Sequence, residues 1–383
     1  MPSPDERRPR PASRPAAAPA SPLHRAGRVV LVLALLYLFF LGLDLMGTAF
    51  KLFGGDFAER LLAGTSNPYV GLVVGILVTS IIQSSSTTTS MTVALVAAGG
   101  ISLEGAIPII MGANIGTSVT ATLVSLGHVT RREEFRRAFS GATLHDFFNL
   151  LTVAILFPIE LATGYLAKTA TAAERVLEGV GGIELFDPVK AVVRPVSGWI
   201  AELTGGSGWL TLLAGVGALF LALKLLVDVL KALLAARAER MLDSRLFASP
   251  LAAMAAGLAI TAMVQSSSVT TSVMIPLVGA GVITLEQLFP LTIGCNIGTT
   301  VTAMLAALAT GSPAAISVAF SHVLFNLTGA LVLYPLPPIR KIPLALSRGL
   351  GLLASRRRWL AVVFIVTVFY GMPVLLLVTL GRF

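Results

Sequence analysis

Long apolar stretches separated by short polar segments run through most of the chain. The runs long enough to cross roughly 30 Å of hydrocarbon as a helix, at about 1.5 Å per residue, are 29–50, 107–126, 142–161, 209–230, 313–335 and 359–380. We find no ten-residue segments of alternating polarity, the pattern of an outer-membrane barrel. The hydropathy pattern therefore predicts an all-α polytopic membrane protein.

One stretch of the chain occurs twice without a gap. Its first copy is 83–123 and its second is 265–305; each begins with QSSS and later contains NIGT. Duplicated blocks inside an apolar chain are typical of transporters built from two repeats, whose substrate and ion sites lie where the repeats meet. We therefore predict two inverted-topology repeats, at 65–160 and 247–337.

Each QSSS motif lies beside apolar pieces that are too short to span a bilayer. In the first repeat these pieces are 69–82 and 91–98, and no Asp, Glu, Lys or Arg occurs from 61 to 103. Non-helical backbone at membrane depth is tolerated only where it is buried or faces water. We therefore expect a re-entrant helical hairpin carrying QSSS in each repeat, followed by a helix that is broken around its NIGT motif.

Polar segments divide the chain into a tail and two halves. Residues 1–28, rich in Pro, Ala and Arg, predict a disordered tail, and the arginines before the first span place it in the cytoplasm. The first transmembrane half is 29–161, the linker is 162–208, and the second half is 209–383.

The charge of the chain changes this picture little. Only 12% of residues are charged and 55% are hydrophobic, whereas about 25% charged is usual in soluble proteins. The formal net charge of +9 lies in the tail and loops, among them a predicted cytoplasmic loop at 131–137 and a basic segment, 340–358, expected along the inner membrane surface. The positive-inside rule accounts for this excess, so we expect no nucleic-acid partner.

The QSSS motifs concentrate hydroxyl and amide groups at membrane depth. An isolated hydroxyl there usually bonds to its own helix backbone, but two matching clusters hold many polar atoms, and each unsatisfied one costs several kcal/mol. Oxygen ligands suit an alkali cation such as sodium, and hydroxyls also donate to an oxyanion. Since the cores of both repeats lack Lys and Arg, a phosphate-like anion would depend on hydroxyls, helix N-termini and bound cations.

Two further features allow more than one interpretation. The glycine spacing around NIGT, at 112–116 and 294–298, is a motif of close helix packing, although the Asn and the following threonines favour an ion-binding turn. Asp146 is a carboxylate inside the predicted span 142–161, and Val323 stands at the matching place of the second half. Asp146 is either a functional residue or a structural partner of His145.

At these residues the chain resembles the type II sodium-phosphate cotransporter family, from about residue 64 to 383. The resemblance rests on QSSSTTTS, IPIIMGANIGTSVT, AFSGATLHDFFN with FPIE, QSSSVTTS, PLTIGCNIGTTVTA, and YPLPPIRKIP with RRRW. It implies sodium-coupled uptake of inorganic phosphate, preferably HPO4 2−, by alternating access through two inverted repeats. The short linker, without cysteine or an N-x-S/T site, suits a multi-pass protein of the bacterial inner membrane.

The resemblance also implies roles for particular residues. Serines of both QSSS motifs line the family's phosphate site, which maps to Ser84, Ser85, Ser267 and Ser268. The second-half QS pair and the threonines after NIG form a sodium site, which maps to Gln265, Ser266, Thr299 and Thr302. Polar residues of the QSSS and NIGT segments and of the span 142–161 are added to this set. The candidate sodium ligands are then Gln83, Thr117, Thr120, Asp146, Asn149, Gln265, Ser266, Asn296, Thr299 and Thr302.

The residue at position 146 is related, in this family, to the net charge that moves across the membrane in each transport cycle. Electrogenic members of the family have Asp at this position and electroneutral ones have Gly, so the chain is expected to be electrogenic. Ser140 departs from that pattern, because electrogenic members usually have Ala there, while Ala142 keeps it.

Other functions remain open. The same fold could carry another small anion, such as sulfate, arsenate or a carboxylate, or the chain could be a sodium-binding channel or scaffold that moves no anion. A hydrolase built on Ser84–Ser86 with His145 and Asp146 lacks a nucleophile elbow, so we expect no enzyme activity. Sodium is expected as a co-substrate, the lipid bilayer as the surrounding medium, and no organic cofactor.

Overall fold

The computed structural model describes residues 22–54, 66–179, 187–235, 247 and 249–380, and this part of the chain is almost entirely helical. The helices of the first half are α1 Pro22–Phe53, α2 Pro68–Ile82, α3 Ser85–Ala97, α4 Leu103–Thr117, α5 Val119–Ser125, α6 Arg132–Thr163 and α7 Tyr165–Gly179. Those that follow are α8 Asp187–Leu203, α9 Gly208–Ala235, α10 Pro250–Val264, α11 Ser267–Ala280, α12 Leu285–Thr310, α13 Pro313–Leu333, α14 Pro337–Arg356, α15 Trp359–Val366 and α16 Met372–Leu380, the last two joined by a π-helical turn.

The all-α membrane architecture predicted from the sequence is confirmed. Among the described residues, seven helical segments are long and apolar enough to cross a membrane. α2, α10 and α11 are apolar but shorter, and α3 has only 13 residues. These short helices form pairs on either side of each QSSS motif, and their re-entrant placement in a membrane stays a prediction.

Several boundaries differ from the prediction. α1 begins at Pro22, inside the segment expected to be disordered; residues 1–21 of that segment and 180–186 of the linker lie outside the described residues. The basic segment 131–137 is not a loop, because α6 begins at Arg132. Acidic residues in its first turn, Glu133 and Glu134, suit a helix N-terminus. The linker contains α7 and α8.

The two hairpin turns have the same backbone conformation. Gln83 ends α2 with φ 57°, and Gln265 ends α10 with φ 58°. Non-glycine residues rarely adopt this left-handed conformation. The next residue, Ser84 or Ser266, accepts a hydrogen bond from the backbone N–H three positions on and so caps α3 or α11. Each QS pair therefore ends one helix and starts the next.

Close backbone packing joins α2 to α4, and α10 to α12, in the same way. A Cβ atom on Gly112 would overlap the carbonyl oxygen of Leu72, and one on Gly294 would overlap that of Met254. The glycines beside NIGT therefore pack helices together. The predicted break at 112–116 is wrong: α4 runs to Thr117 and is interrupted only around Ser118, while α12 continues unbroken through its NIGT motif.

Replacing Gly294 with Ala is expected to destabilise the protein by about 1–3 kcal/mol, because the added methyl group must separate α10 from α12. Thermal unfolding of the purified protein in detergent measures this. Gly217→Ala on α9 is the matched control, since a Cβ there meets nothing within 4 Å. Equal unfolding temperatures for the two variants would contradict the packing argument.

Each half packs its hairpin against the other half. α3 contacts α12 and α13, and α11 contacts α5 and α6. In the same reciprocal manner α14 lies on α6, and α7 lies on α13. A core cluster that includes Phe39, Val93, Ile110, Leu219 and Ile316 joins α1, α3, α4, α9 and α13. This exchange of contacts brings the two QSSS motifs together, with the Ser86 hydroxyl bonded to the Gln265 carbonyl.

Candidate functional site

The first turns of α3 and α11 meet where the two halves touch. The Ser86 hydroxyl donates to the Gln265 carbonyl at 2.9 Å, and the Ser268 hydroxyl donates to the Thr117 carbonyl at 3.2 Å. Ser85 and Ser267 are buried beside them. Helix N-termini carry free backbone N–H groups and the positive end of the helix dipole. Two such ends therefore converge on one buried, hydroxyl-rich place.

A threonine pair in each repeat braces the arms of the hairpin. Thr79 donates to Thr88 at 2.9 Å, and Thr261 donates to Thr270 at 3.2 Å, all four side chains being buried. We did not single out Thr79 or Thr261 from the sequence. The available signal was their matching position, each four residues before the Gln of QSSS.

The predicted sodium ligands of the second repeat are partly brought together. The Thr302 hydroxyl donates to Gln265 Oε1 at 2.5 Å. Thr299, one turn earlier on α12, is buried and donates to the Cys295 carbonyl, while Ser266 caps α11. The Gln and the second threonine of this candidate site are therefore in direct contact.

The matching pair in the first repeat is not formed. Gln83 is exposed, and the buried Thr120 hydroxyl finds no hydrogen-bond partner among the described residues. Thr117 donates to the Ala113 carbonyl of its own helix. The two repeats thus have related sequences but different arrangements around their QSSS turns.

A buried chain of amides crosses between the halves. His145 Nε2 and Asn296 Oδ1 lie 2.6 Å apart. The Asn296 amide donates to Asn149 Oδ1 at 2.7 Å, and the Asn149 amide donates to the Asn114 carbonyl at 2.6 Å. Each of these side chains is at most 4% exposed. This network links both NIGT motifs to α6.

The second half lacks the equivalent network. His322 and Asn326, the counterparts of His145 and Asn149, are fully buried on α13. Within the described part of the chain, both ring nitrogens of His322 and the Asn326 side-chain oxygen have no hydrogen-bond partner. The asymmetry seen at the two QSSS turns therefore extends to the NIGT motifs.

Asp146 is fully buried on α6. One carboxylate oxygen accepts from the Thr122 hydroxyl at 3.1 Å, and the other finds no partner among the described residues. The ring of His145 bonds to Asn296 instead, so the structural His145 pair considered from the sequence is not formed. The hydrogen bonds of Asn149 likewise go to α12 and α4. Thr122, which sequence reasoning missed, lies beyond the NIGT motif of the first repeat.

The side chains of this site are hydroxyls, amides, imidazoles and a single carboxylate. No group of three or more His, Cys, Asp or Glu that could hold a metal ion occurs among the described residues. Hydroxyl, amide and carboxylate oxygens are the ligands of hard cations, whereas helix N-termini and hydroxyl donors receive anions. The site can therefore receive a cation and an oxyanion side by side.

The fold and this site define an integral membrane protein with paired helical hairpins meeting at a polar centre. Residues 38–184 and 218–353 match the family described as Na⁺/Pi-cotransporter. The chain belongs to this family.

Curated relatives agree with that membership. The chain is 34% identical to human sodium-dependent phosphate transport protein 2B, with 91% of this chain and 64% of that protein covered. It is 37% identical to the sheep transport protein 2A, with 96% and 70% covered, and 37% identical to the mouse protein 2A, with 90% and 66% covered. The chain thus spans about two thirds of the length of these relatives. No solved structure was found to match it.

Proposed function

We propose that the protein is a sodium-coupled symporter that carries inorganic phosphate into the cell. One observation carries the proposal: the first turn of α3 reaches the QSSS turn of the second repeat, where the Ser86 hydroxyl donates to the Gln265 carbonyl just before the start of α11. The family and the names of the relatives support phosphate as the anion and sodium as the co-substrate. The proposed location is a bacterial inner membrane.

In this proposal phosphate binds between the two hairpin tips. Backbone N–H groups at the starts of α3 and α11 and the hydroxyls of Ser84, Ser85, Ser267 and Ser268 donate to its oxygens, and the Ser268 hydroxyl leaves the Thr117 carbonyl to do so. No Lys or Arg occurs between residues 61 and 130 or between 249 and 339. A dianion is therefore not neutralised by a side chain of these segments, and sodium ions must supply the positive charge. This requirement couples the two substrates.

Sodium is expected at the second repeat, where Gln265, Ser266, Thr299 and Thr302 supply oxygens, and at Asp146. The donor set of hard oxygen atoms fits sodium. The unpartnered carboxylate oxygen of buried Asp146 supports a cation there, because an isolated charge at membrane depth is costly. Asn149 and Asn296 are proposed to position Asp146 and α12 through the amide network.

We further propose that the repeats are inverted and exchange conformations during transport. The Gln265–Thr302 bond is formed, whereas Gln83 is exposed and the Thr120 hydroxyl has no partner among the described residues. The amide network includes His145, whereas the ring of its counterpart His322 has no hydrogen-bond partner in the described part of the chain. In the opposite state the first-repeat pair would form and the second would open. Such an exchange moves a central site from one side of the membrane to the other.

Uptake of radiolabelled phosphate into proteoliposomes tests this function. With an inward sodium gradient, uptake is expected to exceed several-fold that with potassium in place of sodium. Excess unlabelled sulfate, arsenate or carboxylate tests the other anions. Sodium-driven uptake of one of these in preference to phosphate would change the substrate, and absence of any anion uptake by folded protein would favour a channel or scaffold.

A further inference from the structure

A cavity of about 500 Å³ lies at the far end of α11 from the hairpin tip. The 14 residues of α11 place it roughly 20 Å away at about 1.5 Å per residue. Its walls come from α6, from the turn between α11 and α12, and from α14. It is therefore separate from the proposed phosphate site, and its lining contains none of the proposed sodium ligands.

Arginines from two helices line this cavity. Arg136 and Arg137 come from α6, and Arg348 comes from α14. Glu286 is the only acidic residue among the lining residues described, and it pairs with Arg348. Three guanidinium groups against this carboxylate and that of Glu133, which lies outside the lining, leave one net positive charge. Outside the lining, Glu133 pairs with Arg136 at 2.9 Å.

Arg137 is held in a fixed position rather than extended into solvent. Its Nε–H donates to the Gly279 carbonyl at 2.8 Å, and the side chain is half-buried. This bond uses one donor of the guanidinium fork, and the terminal N–H groups remain for a ligand. The hydroxyl of Ser140 is engaged with the Arg136 carbonyl. The guanidinium groups are accordingly the main donors facing this space.

Apolar side chains complete the wall. Val278 and Ile283 are buried, and Leu352 of α14 is 39% exposed beside Arg348. α14 has a polar and an apolar face, because its basic residues alternate with buried positions such as Leu344 and Gly351. Amphipathic basic helices of this kind are typical of the membrane–water interface. The cavity thus combines fixed arginines with an apolar edge.

We propose that this cavity binds a phosphate group, supplied by an anionic lipid headgroup or by inorganic phosphate. Arginine forks match the oxygens of a phosphate group and bind it with charge-assisted hydrogen bonds. The basic residues place this end of the protein at the cytoplasmic face, where anionic lipids bind basic pockets between helices. The inference does not depend on the proposed transport function.

Native mass spectrometry of the full chain in a neutral detergent tests the site and identifies the source by adduct mass. The protein is titrated separately with phosphatidylglycerol, phosphatidylcholine and potassium phosphate. The double variant Arg137→Gln, Arg348→Gln is expected to bind phosphatidylglycerol or phosphate at least about tenfold more weakly, since two charge-assisted donors are lost. Arg356→Gln, also on α14 but outside the cavity lining, is the matched control and should bind like the wild type.

The ligand is identified as the one whose adduct forms less readily with the double variant than with the wild type. A loss confined to phosphatidylglycerol supports a lipid headgroup, and a loss of the phosphate adduct supports free phosphate. Equal binding of both ligands by wild type, control and double variant overturns the proposal, as does equal weakening of phosphatidylcholine. Arg348→Gln alone replaces an exposed side chain, so it provides the same comparison if the double variant unfolds.

Discussion

Asp146→Gly is expected to abolish the voltage dependence of phosphate uptake while leaving uptake driven by the sodium gradient. A phosphate dianion and two sodium ions carry no net charge, so one further sodium ion makes the cycle electrogenic. We assign that ion to Asp146, whose buried carboxylate accepts a hydrogen bond from Thr122 and keeps one oxygen without a hydrogen-bond partner among the described residues. A moving unit charge responds to the membrane potential by about 2.3 kcal/mol per 100 mV. The remaining proposed sodium ligands are hydroxyls and amides that the variant leaves in place.

A potassium-diffusion potential imposed on proteoliposomes measures this effect. Glu160→Gln is the control, because Glu160 also lies on α6 but accepts backbone hydrogen bonds from Leu166 and Ala167. Phosphate uptake by the wild type and by the control should be faster with an inside-negative potential. Two results would mean that Asp146 does not hold the electrogenic sodium ion. One is wild-type uptake that does not change with the potential, and the other is uptake by Asp146→Gly that changes with the potential as much as wild-type uptake does.

Thr302→Val is expected to raise the sodium concentration for half-maximal phosphate uptake by about tenfold or more. The substitution keeps the shape of the side chain but removes the hydroxyl that contacts Gln265 Oε1 at 2.5 Å. Loss of one oxygen from a hard-cation site weakens binding, and about 1.4 kcal/mol corresponds to a factor of ten. Sodium titration of the initial uptake rate gives the measurement.

Thr292→Val is the matched control for this prediction. Thr292 is buried on the same helix, α12, and its hydroxyl bonds only to the Leu288 carbonyl among the described residues. Both variants should express and unfold alike, but only Thr302→Val should shift the sodium dependence. The same shift in both would point to a general effect on α12 packing and would remove Thr302 from the proposed sodium site.

The pairs of short helices could be predicted from the sequence because the features that produce them lie within each segment. The short apolar pieces beside QSSS cannot span a membrane, and a cap residue such as Ser84 begins a helix wherever its side chain reaches the N–H groups that follow. The break expected at 112–116 was wrong, and α4 is interrupted only around Ser118. Gly112 and Gly294 lie against the carbonyls of neighbouring helices, so these glycines serve close packing.

The amide network could not be predicted because its partners are distant in the chain. His145 and Asn296 are 151 residues apart, and nothing local in either segment specifies their contact. The asymmetry between the halves is equally hidden, since Gln83 and Gln265 occupy identical motifs and have the same backbone conformation. It becomes visible only when Thr120 and Thr302 are compared in three dimensions.

Phosphate binding at equilibrium, with and without sodium, tests the central claim most directly. We propose that the hairpin tips cannot retain phosphate without bound cations, because no Lys or Arg occurs in residues 61–130 or 249–339. Titration of the purified protein with labelled phosphate should therefore show affinity rising with sodium concentration, and sodium affinity should rise with phosphate by the same factor, as linkage requires. Phosphate binding that is equally tight in sodium and in potassium would contradict the account.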